Sequence, residues 1–262
     1  MRNRRRSDAH MHLSRAIVLK HRNDSSAGDT ANDRIIHQHH TFAFHGFAHH
    51  TQFHFARPDS EVDGISVHSV RKELGRELCR EAPAEADLVI GVPDSGLAAA
   101  VGYAEQCGLP YELGMMKNRY VGRTFIQPNQ ELRRRGVKMK LSVVRKAVEG
   151  KRVVLVDDSI VRGITSGRIV SMLKDNGATE VHMRVTSPPI THPCLYGIDT
   201  ARRMELIAAE MSVDEIRDEI GADSLHFLSE KGMIQATGRE DLSEDQGHCL
   251  SCFNGKYPTP TT

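Results

Sequence analysis

Apolar positions along this chain fall into two rhythms. Val153–Val156 are four consecutive β-favouring residues without alternation, the pattern of a strand buried on both faces. After a polar turn, Ile169, Val170, Met172 and Leu173 recur at helical spacing and predict a helix with one buried face. The same order appears upstream, where Leu88–Val92 predicts a strand, Pro93–Gly96 a small polar turn and Leu97–Gln106 an alanine-rich helix. Val67, Val70, Leu74 and Leu78 mark an amphipathic helix before it, and organised sequence begins near Phe53. Downstream, Val181–Val185 predicts another strand. A helix from about Val213, with Ile216 and Ile220 one turn apart, should stop at Gly221, and Leu225–Leu228 reads as a last strand. In an open α/β sheet, ligands bind at the carboxyl ends of the strands.

The chemistry concentrates at those ends. Asp157 and Asp158 directly follow the central strand, and Ser159 to Ser166 then form a hydroxyl-rich turn holding Gly163. The helix start beyond it offers free N–H groups and the positive end of a dipole, which suit a phosphate. Gly163 lets the backbone approach the anion, while Thr165 and Ser166 can donate hydroxyl hydrogen bonds. The two carboxylates suit a sugar diol and a divalent cation, so the turn asks for a ribose 5-phosphate. It is neither a Walker loop, lacking Gly-Lys-Ser/Thr, nor a dinucleotide fingerprint, since Gly163 and Gly167 do not give G-x-G-x-x-G. Pro93-Asp94-Ser95-Gly96, ahead of its own helix, makes a second anion seat or an ordinary βα turn. From Met116 the chain turns basic and aperiodic, with Lys117, Arg119, Arg123, Arg133–Arg135 and Lys138. Beside two anion seats, such a segment reads as a lid over a polyphosphate.

Composition narrows the class. The 262 residues carry a net charge of +1 with 26% charged residues, so no global field favours nucleic acid or membrane. No apolar run is long enough to span a bilayer, and the basic Met1–Arg6 is not followed by a signal-type apolar region. The five cysteines are an odd number with one Cys-x-x-Cys, unlike a secreted disulfide framework, so the cytoplasm is the expected compartment. Cys79 reads as a small packing residue and Cys107 as structural. Residues 1–52 hold nine of the fifteen histidines and almost no apolar period. They read as a disordered or non-native leader, or as a metal tract built on His37, His39, His40, His45, His49 and His50. The expected organisation is therefore a leader over 1–52, a catalytic domain over 53–240 and a cysteine-containing tail over 241–262, unordered from Tyr257.

The wording Val-Asp-Asp-Ser-Ile-Val-Arg-Gly over 156–163 resembles the phosphoribosyl pyrophosphate (PRPP) loop of type I phosphoribosyltransferases. Within that group it is similar to the amidophosphoribosyltransferases (glutamine–PRPP amidotransferases). The basic segment from Lys117 resembles that family's flexible loop, and Phe55–Ser60, Asp63–Ile65 and Tyr196–Asp199 resemble it as well. The family usually has Gly-Thr-Thr-Ser where this chain has Gly163-Ile164-Thr165-Ser166. The resemblance covers roughly 55–258 and implies a doubly wound, mostly parallel sheet with a C-terminal hood. It implies attack of an amine nitrogen on C1 of PRPP, displacing pyrophosphate to give 5-phosphoribosylamine, the first step of de novo purine nucleotide biosynthesis. Asp94, Ser95, Gly96, Ser159, Arg162, Gly163, Ile164, Thr165 and Ser166 would bind PRPP. Ser95, Asp157 and Asp158 would hold Mg2+, and Lys117, Arg119 and Arg123 would neutralise the departing pyrophosphate.

In the family a preceding glutaminase domain, with an N-terminal cysteine, supplies ammonia. Residues 1–52 contain no cysteine and cannot be that domain, so the chain is expected to use free ammonia and not glutamine. A homo-oligomer and inhibition by purine nucleotides are expected. Two other readings compete: a PRPP-sensing regulator, which would usually need a DNA-binding module, and a purine-salvage transferase, which would need a base pocket in its hood. Cys194, Cys249 and Cys252 match three of the four thiolates that hold a [4Fe–4S] cluster in one branch of the family. The fourth position falls near Ala48, with no cysteine before Cys79, so an incomplete cluster is expected. A zinc site or a harmless trio would show the same spacing.

Overall fold

In a computed structural model of the chain, residues 56–62, 64–117, 141–195, 202–238 and 249–257 are described below. All lie in the second of two compact units, Phe42–Thr262. The leader 1–52 with its histidines, the lid residues Arg119 and Arg123, and the Tyr196–Asp199 motif lie outside the described residues.

The first strands among the described residues form a short antiparallel hairpin, β1 (Glu61–Val62) and β2 (Ile65–Ser66), turning at Gly64 with φ +77°. Helix α1 (Val67–Glu81) follows, its N-terminus capped by the Ser66 hydroxyl accepting from Ser69 N–H. Next come β3 (Leu88–Gly91) and α2 (Leu97–Cys107), which ends at the left-handed Gly108. A second antiparallel pair joins β4 (Met115–Lys117) to β5 (Leu141–Val143) across residues 118–140. The short α3 (Arg145–Val148) leads into β6 (Arg152–Asp157), α4 (Ile164–Asp175) and β7 (Glu180–Val185). Beyond lie a 3-10 turn (Arg203–Glu205), α5 (Ile207–Glu210), α6 (Val213–Ile220), β8 (Ser224–Phe227), α7 (Glu230–Gln235) and α8 (Ser251–Asn254).

The main sheet runs β3–β6–β7–β8 with every neighbouring pair parallel, in the register Ile90↔Leu155↔Met183↔Leu225. Alternate strand residues divide between its two faces. Leu88, Ile90, Val153, Leu155, Val181, Met183 and Val185 share a core with Ile169, Val170 and Leu173 of α4 and Ile216 and Ile220 of α6. The intervening Val89, Val154 and Val156 are also fully buried, on the side of α1 and α2. Burial on both faces is why these strands read as continuous apolar runs. This is the type I phosphoribosyltransferase fold.

Helices α1 and α2 meet backbone to backbone. A Cβ on Gly75 would stand 1.9 Å from the Ala99 carbonyl oxygen, and one on Gly102 1.8 Å from that of Lys72. The hydroxyl of the fully buried Tyr103 donates to the Ala82 carbonyl at 2.8 Å. Arg184 of β7 is buried on the same side, and its guanidinium is satisfied by the carbonyls of Ala82 and Met183 and by the Ser224 hydroxyl. Cys79 is buried as a packing residue should be, yet it forms a disulfide with Cys107, Cα atoms 6.0 Å apart, tying α1 to α2. Reading both as separate structural residues therefore missed the bond. Within the tail, residues 249–257 are described, and they pack against the segment after β7. The carbonyl of Cys252 in α8 accepts from Thr191 and His192 N–H, and the Tyr257 hydroxyl donates to Pro193. No helix among the described residues is long and apolar enough to cross a membrane.

Candidate active site at the strand ends

Two βα turns lie side by side at the carboxyl ends of β3 and β6. Their join is tight: Val92 N–H donates to the Val156 carbonyl at 2.9 Å, and a Cβ on Gly96 would meet that carbonyl oxygen at 2.3 Å. Only glycine fits there. The Ser95 hydroxyl reaches from the first turn to Asp157 Oδ1 of the second at 3.4 Å, so the two candidate anion seats share a wall. The Pro93–Asp94 peptide is cis, and Asp94 turns outward, where Lys117 Nζ at the end of β4 meets it at 3.0 Å.

The carboxylates differ in a way their adjacency in sequence hides. Carboxylates at a strand end ordinarily face solvent, but Asp157 is the last residue of β6 and only 6% exposed, while Asp158 is partly exposed. Asp157 Oδ1 accepts from Asp158 N–H at 2.9 Å, and its backbone carbonyl accepts from Thr186 N–H at 3.0 Å. Burial, with the Asp158 charge next, pushes the Asp157 carboxyl up to about 8, against the pull of the hydrogen bonds from Asp158 N–H and the Ser95 hydroxyl. Asp158 Oδ1 accepts from the Ser159 hydroxyl at 3.0 Å.

From there the turn is pinned by Ile160, fully buried in the sheet's core, and reverses at Gly163 with φ +73° to start α4. Thr165 is exposed at the helix start, Ser166 is buried, and Ile164 stands 60% exposed where the resembling family carries threonine. Arg162 does not point to an open cradle. Its Nε donates to Glu205 Oε2 at 2.9 Å, and a second guanidinium nitrogen reaches the same oxygen. Of the nominated residues, Asp94, Ser95, Gly96, Lys117, Asp157, Asp158, Ser159 and Arg162 to Ser166 therefore cluster on the two turns and their edge.

Two residues escaped the sequence reading. Arg71 is buried on α1, donates to the Ala56 carbonyl at 2.8 Å and feels the charge of Asp158, which offsets part of the lowering that burial imposes on it. Its signal was available, since an arginine one residue after Val70 and three before Leu74 lies inside the apolar stripe. Glu205, 43 positions after its partner Arg162, left no local signal.

The donor set was tested against the two implied metal groups. Hard oxygens from two carboxylates beside a serine fit Mg2+, which commonly takes one or two carboxylates and completes its shell with water and substrate phosphate. A buried carboxylate raised to about 8 is also a group that a cation would relieve. The thiols do not fit a four-thiolate cluster. Cys79 and Cys107 are joined to each other, leaving only Cys194, Cys249 and Cys252. Burial pushes the Cys252 thiol up to about 12, with Cys194 and Cys249 adding to the effect. Among the described residues, no group of three or more His, Cys, Asp or Glu is disposed to hold a metal ion.

Comparison with known proteins places the domain in a family. The phosphoribosyl transferase domain family model matches residues 68–191. The amidophosphoribosyltransferase of Bacillus subtilis is 64% identical over 206 residues, 79% of this chain and 43% of that protein. The chain carries a phosphoribosyl transferase domain of the amidophosphoribosyltransferase family. The Archaeoglobus fulgidus amidophosphoribosyltransferase is 58% identical over 205 residues, covering 78% of this chain and 44% of the relative. A solved structure of the B. subtilis glutamine PRPP amidotransferase, complexed with ADP and GMP, aligns with a TM-score of 0.74 and 62% identity, over 80% of this chain and 47% of that one. The chain thus spans less than half the length of these amidophosphoribosyltransferase relatives.

Proposed function

We propose that residues 53–240 form the transferase half of an amidophosphoribosyltransferase, which makes 5-phosphoribosylamine from PRPP and ammonia. The observation that carries this reading is the shared wall of the two turns, where Ser95 meets Asp157 and Asp158 follows at the rim. One turn seats the pyrophosphate through Asp94, Ser95 and Gly96. The other, Ser159 to Ser166, closes round the 5-phosphate at the start of α4. Asp157 and Asp158 face the ribose between them.

Mg2+, held by Ser95, Asp157 and Asp158, would neutralise the pyrophosphate and make it a better leaving group. The chain's own groups do the rest by position and charge. The C1–O bond to pyrophosphate breaks as the ammonia nitrogen bonds to C1, the nitrogen gives up its extra proton to the departing pyrophosphate or to water, and the carboxylates stabilise positive charge developing on the ribose ring. Lys117 lies beside the pyrophosphate turn, held by Asp94, and with Arg119 and Arg123 would neutralise charge on the leaving group. The solved relative complexed with ADP and GMP supports purine nucleotides as ligands, and inhibition by them is part of this reading. An iron–sulfur cluster would be held incompletely by three cysteines, so anaerobic reconstitution should give fewer than four irons per chain.

The test is pyrophosphate release from PRPP and magnesium with ammonia, glutamine, hypoxanthine or adenine as acceptor. Release with ammonia alone is expected. Release with a purine base would make the enzyme a salvage transferase, and none with any acceptor, despite PRPP binding, would make it a sensor.

A further inference from the structure

The phosphate turn is held from outside by the segment that follows β7. Three contacts of different kinds converge on it. Arg162 donates through two nitrogens to Glu205 Oε2, Nε at 2.9 Å. Two residues on, Ile207 N–H donates to the Val161 carbonyl at 2.9 Å. The Ile207 side chain also lies over Gly163, with Cδ1 only 2.7 Å from where a Cβ would stand. A backbone hydrogen bond, an apolar cover and an ion pair thus fix three consecutive turn residues, 161–163, to one short stretch, 205–207.

We propose that Glu205 is a positioning residue for the reaction. Through Arg162 it latches the turn in the shape that receives the 5-phosphate, and Arg162 serves the latch rather than the anion. This rests on the transferase reading above. The chemistry favours it. A guanidinium occupied on one edge by a carboxylate is poorly disposed to serve as the phosphate's charge partner, and the free N–H groups at the start of α4 already suit that anion. The αL conformation of Gly163 is what an unlatched turn would most readily lose, because glycine has the most alternative conformations. An exposed ion pair is a weak source of stability, roughly 0.2–1 kcal/mol, so the latch acts on shape more than on folding.

The experiment uses the full chain in four forms: wild type, Glu205→Gln, Arg162→Glu, and the exchanged pair Arg162→Glu/Glu205→Arg. Two readouts are taken: KM for PRPP with saturating magnesium and ammonia, and amide hydrogen exchange over residues 159–166 without ligand. The latch predicts that Glu205→Gln raises KM about fivefold, near the upper end for an exposed pair, with kcat within about twofold. Exchange in the turn should quicken in the same variant. Arg162→Glu should be worse, and the exchanged pair should return to within about twofold of wild type in both readouts. An exchanged pair no better than Arg162→Glu, with a glutamate now facing the phosphate, would make Arg162 the anion's ligand and overturn the proposal. Turn exchange unchanged in Glu205→Gln would overturn it too, and that arm decides even if the wild type fails to bind PRPP. A wild type that does not bind PRPP would refute the transferase reading instead.

Discussion

The α1–α2 pair and the strand-end turns sit on the same sheet but follow opposite rules. Between the two helices every feature tightens: glycines bring backbone against backbone, a disulfide joins their last turns, and the buried Tyr103 and Arg184 find carbonyl partners. At the strand ends the chain accepts what a stable core avoids. Asp157 is a buried carboxyl next to another carboxyl, Ile164 is an exposed apolar side chain, and the ion pairs Lys117–Asp94 and Arg162–Glu205 are open to water. A buried carboxyl and exposed groups of this kind are kept where function needs them, and stability comes from elsewhere. Changes at one region should therefore alter turnover with little effect on unfolding, and changes at the other the reverse.

The largest expected effect is at the site. Asp158→Ala should lower pyrophosphate release by about 10² to 10³, the usual loss for one preorganised electrostatic group, while the thermal midpoint moves little. Next comes the helix pair. Cys79→Ser opens a cross-link between residues 28 apart, and chain-entropy reasoning puts the loss at about 3.5 kcal/mol in denaturant unfolding, with turnover at low temperature retained. Gly75→Ala forces a methyl onto the Ala99 carbonyl and should cost about 1–3 kcal/mol, again without a specific loss of activity.

A pH slope sharpens the contrast further. Asp157 ionises near 8 when folded and near 3.8 when unfolded, so the unfolded chain gives up this proton first as pH rises. The stability this group contributes is full below about pH 4 and is lost as pH climbs towards 8. Asp157→Asn removes that loss. Metal-free Asp157→Asn should thus fall less in stability between about pH 5 and 8 than the wild type, although it cannot carry out the reaction.

The strand–turn–helix units were legible because their apolar runs are long and buried on both faces. Val153–Val156 and Leu88–Val92 left no competing period, and Gly221 marked its helix end by chemistry alone. What was not legible depends on pairing across distance. Strands β4 and β5 have three residues each, separated by 118–140, too short for alternation to register. The Cys79–Cys107 bond depends on two helices ending side by side. Which of two adjacent aspartates is buried depends on Thr186 and Ser95 closing over Asp157, and nothing within the dipeptide distinguishes them. The Arg162–Glu205 contact lies in the same category, since the hood that supplies Glu205 carries no period of its own.

The most direct measurement pairs thermal unfolding with ammonia-dependent pyrophosphate release on Asp158→Ala and Gly75→Ala in one set of conditions. The expected result is a crossed pattern: Asp158→Ala melts with the wild type but turns over at least about a hundredfold more slowly, and Gly75→Ala melts earlier but keeps its low-temperature turnover. Full activity in Asp158→Ala, or a large fall in its melting temperature, would contradict a catalytic centre at the end of β6.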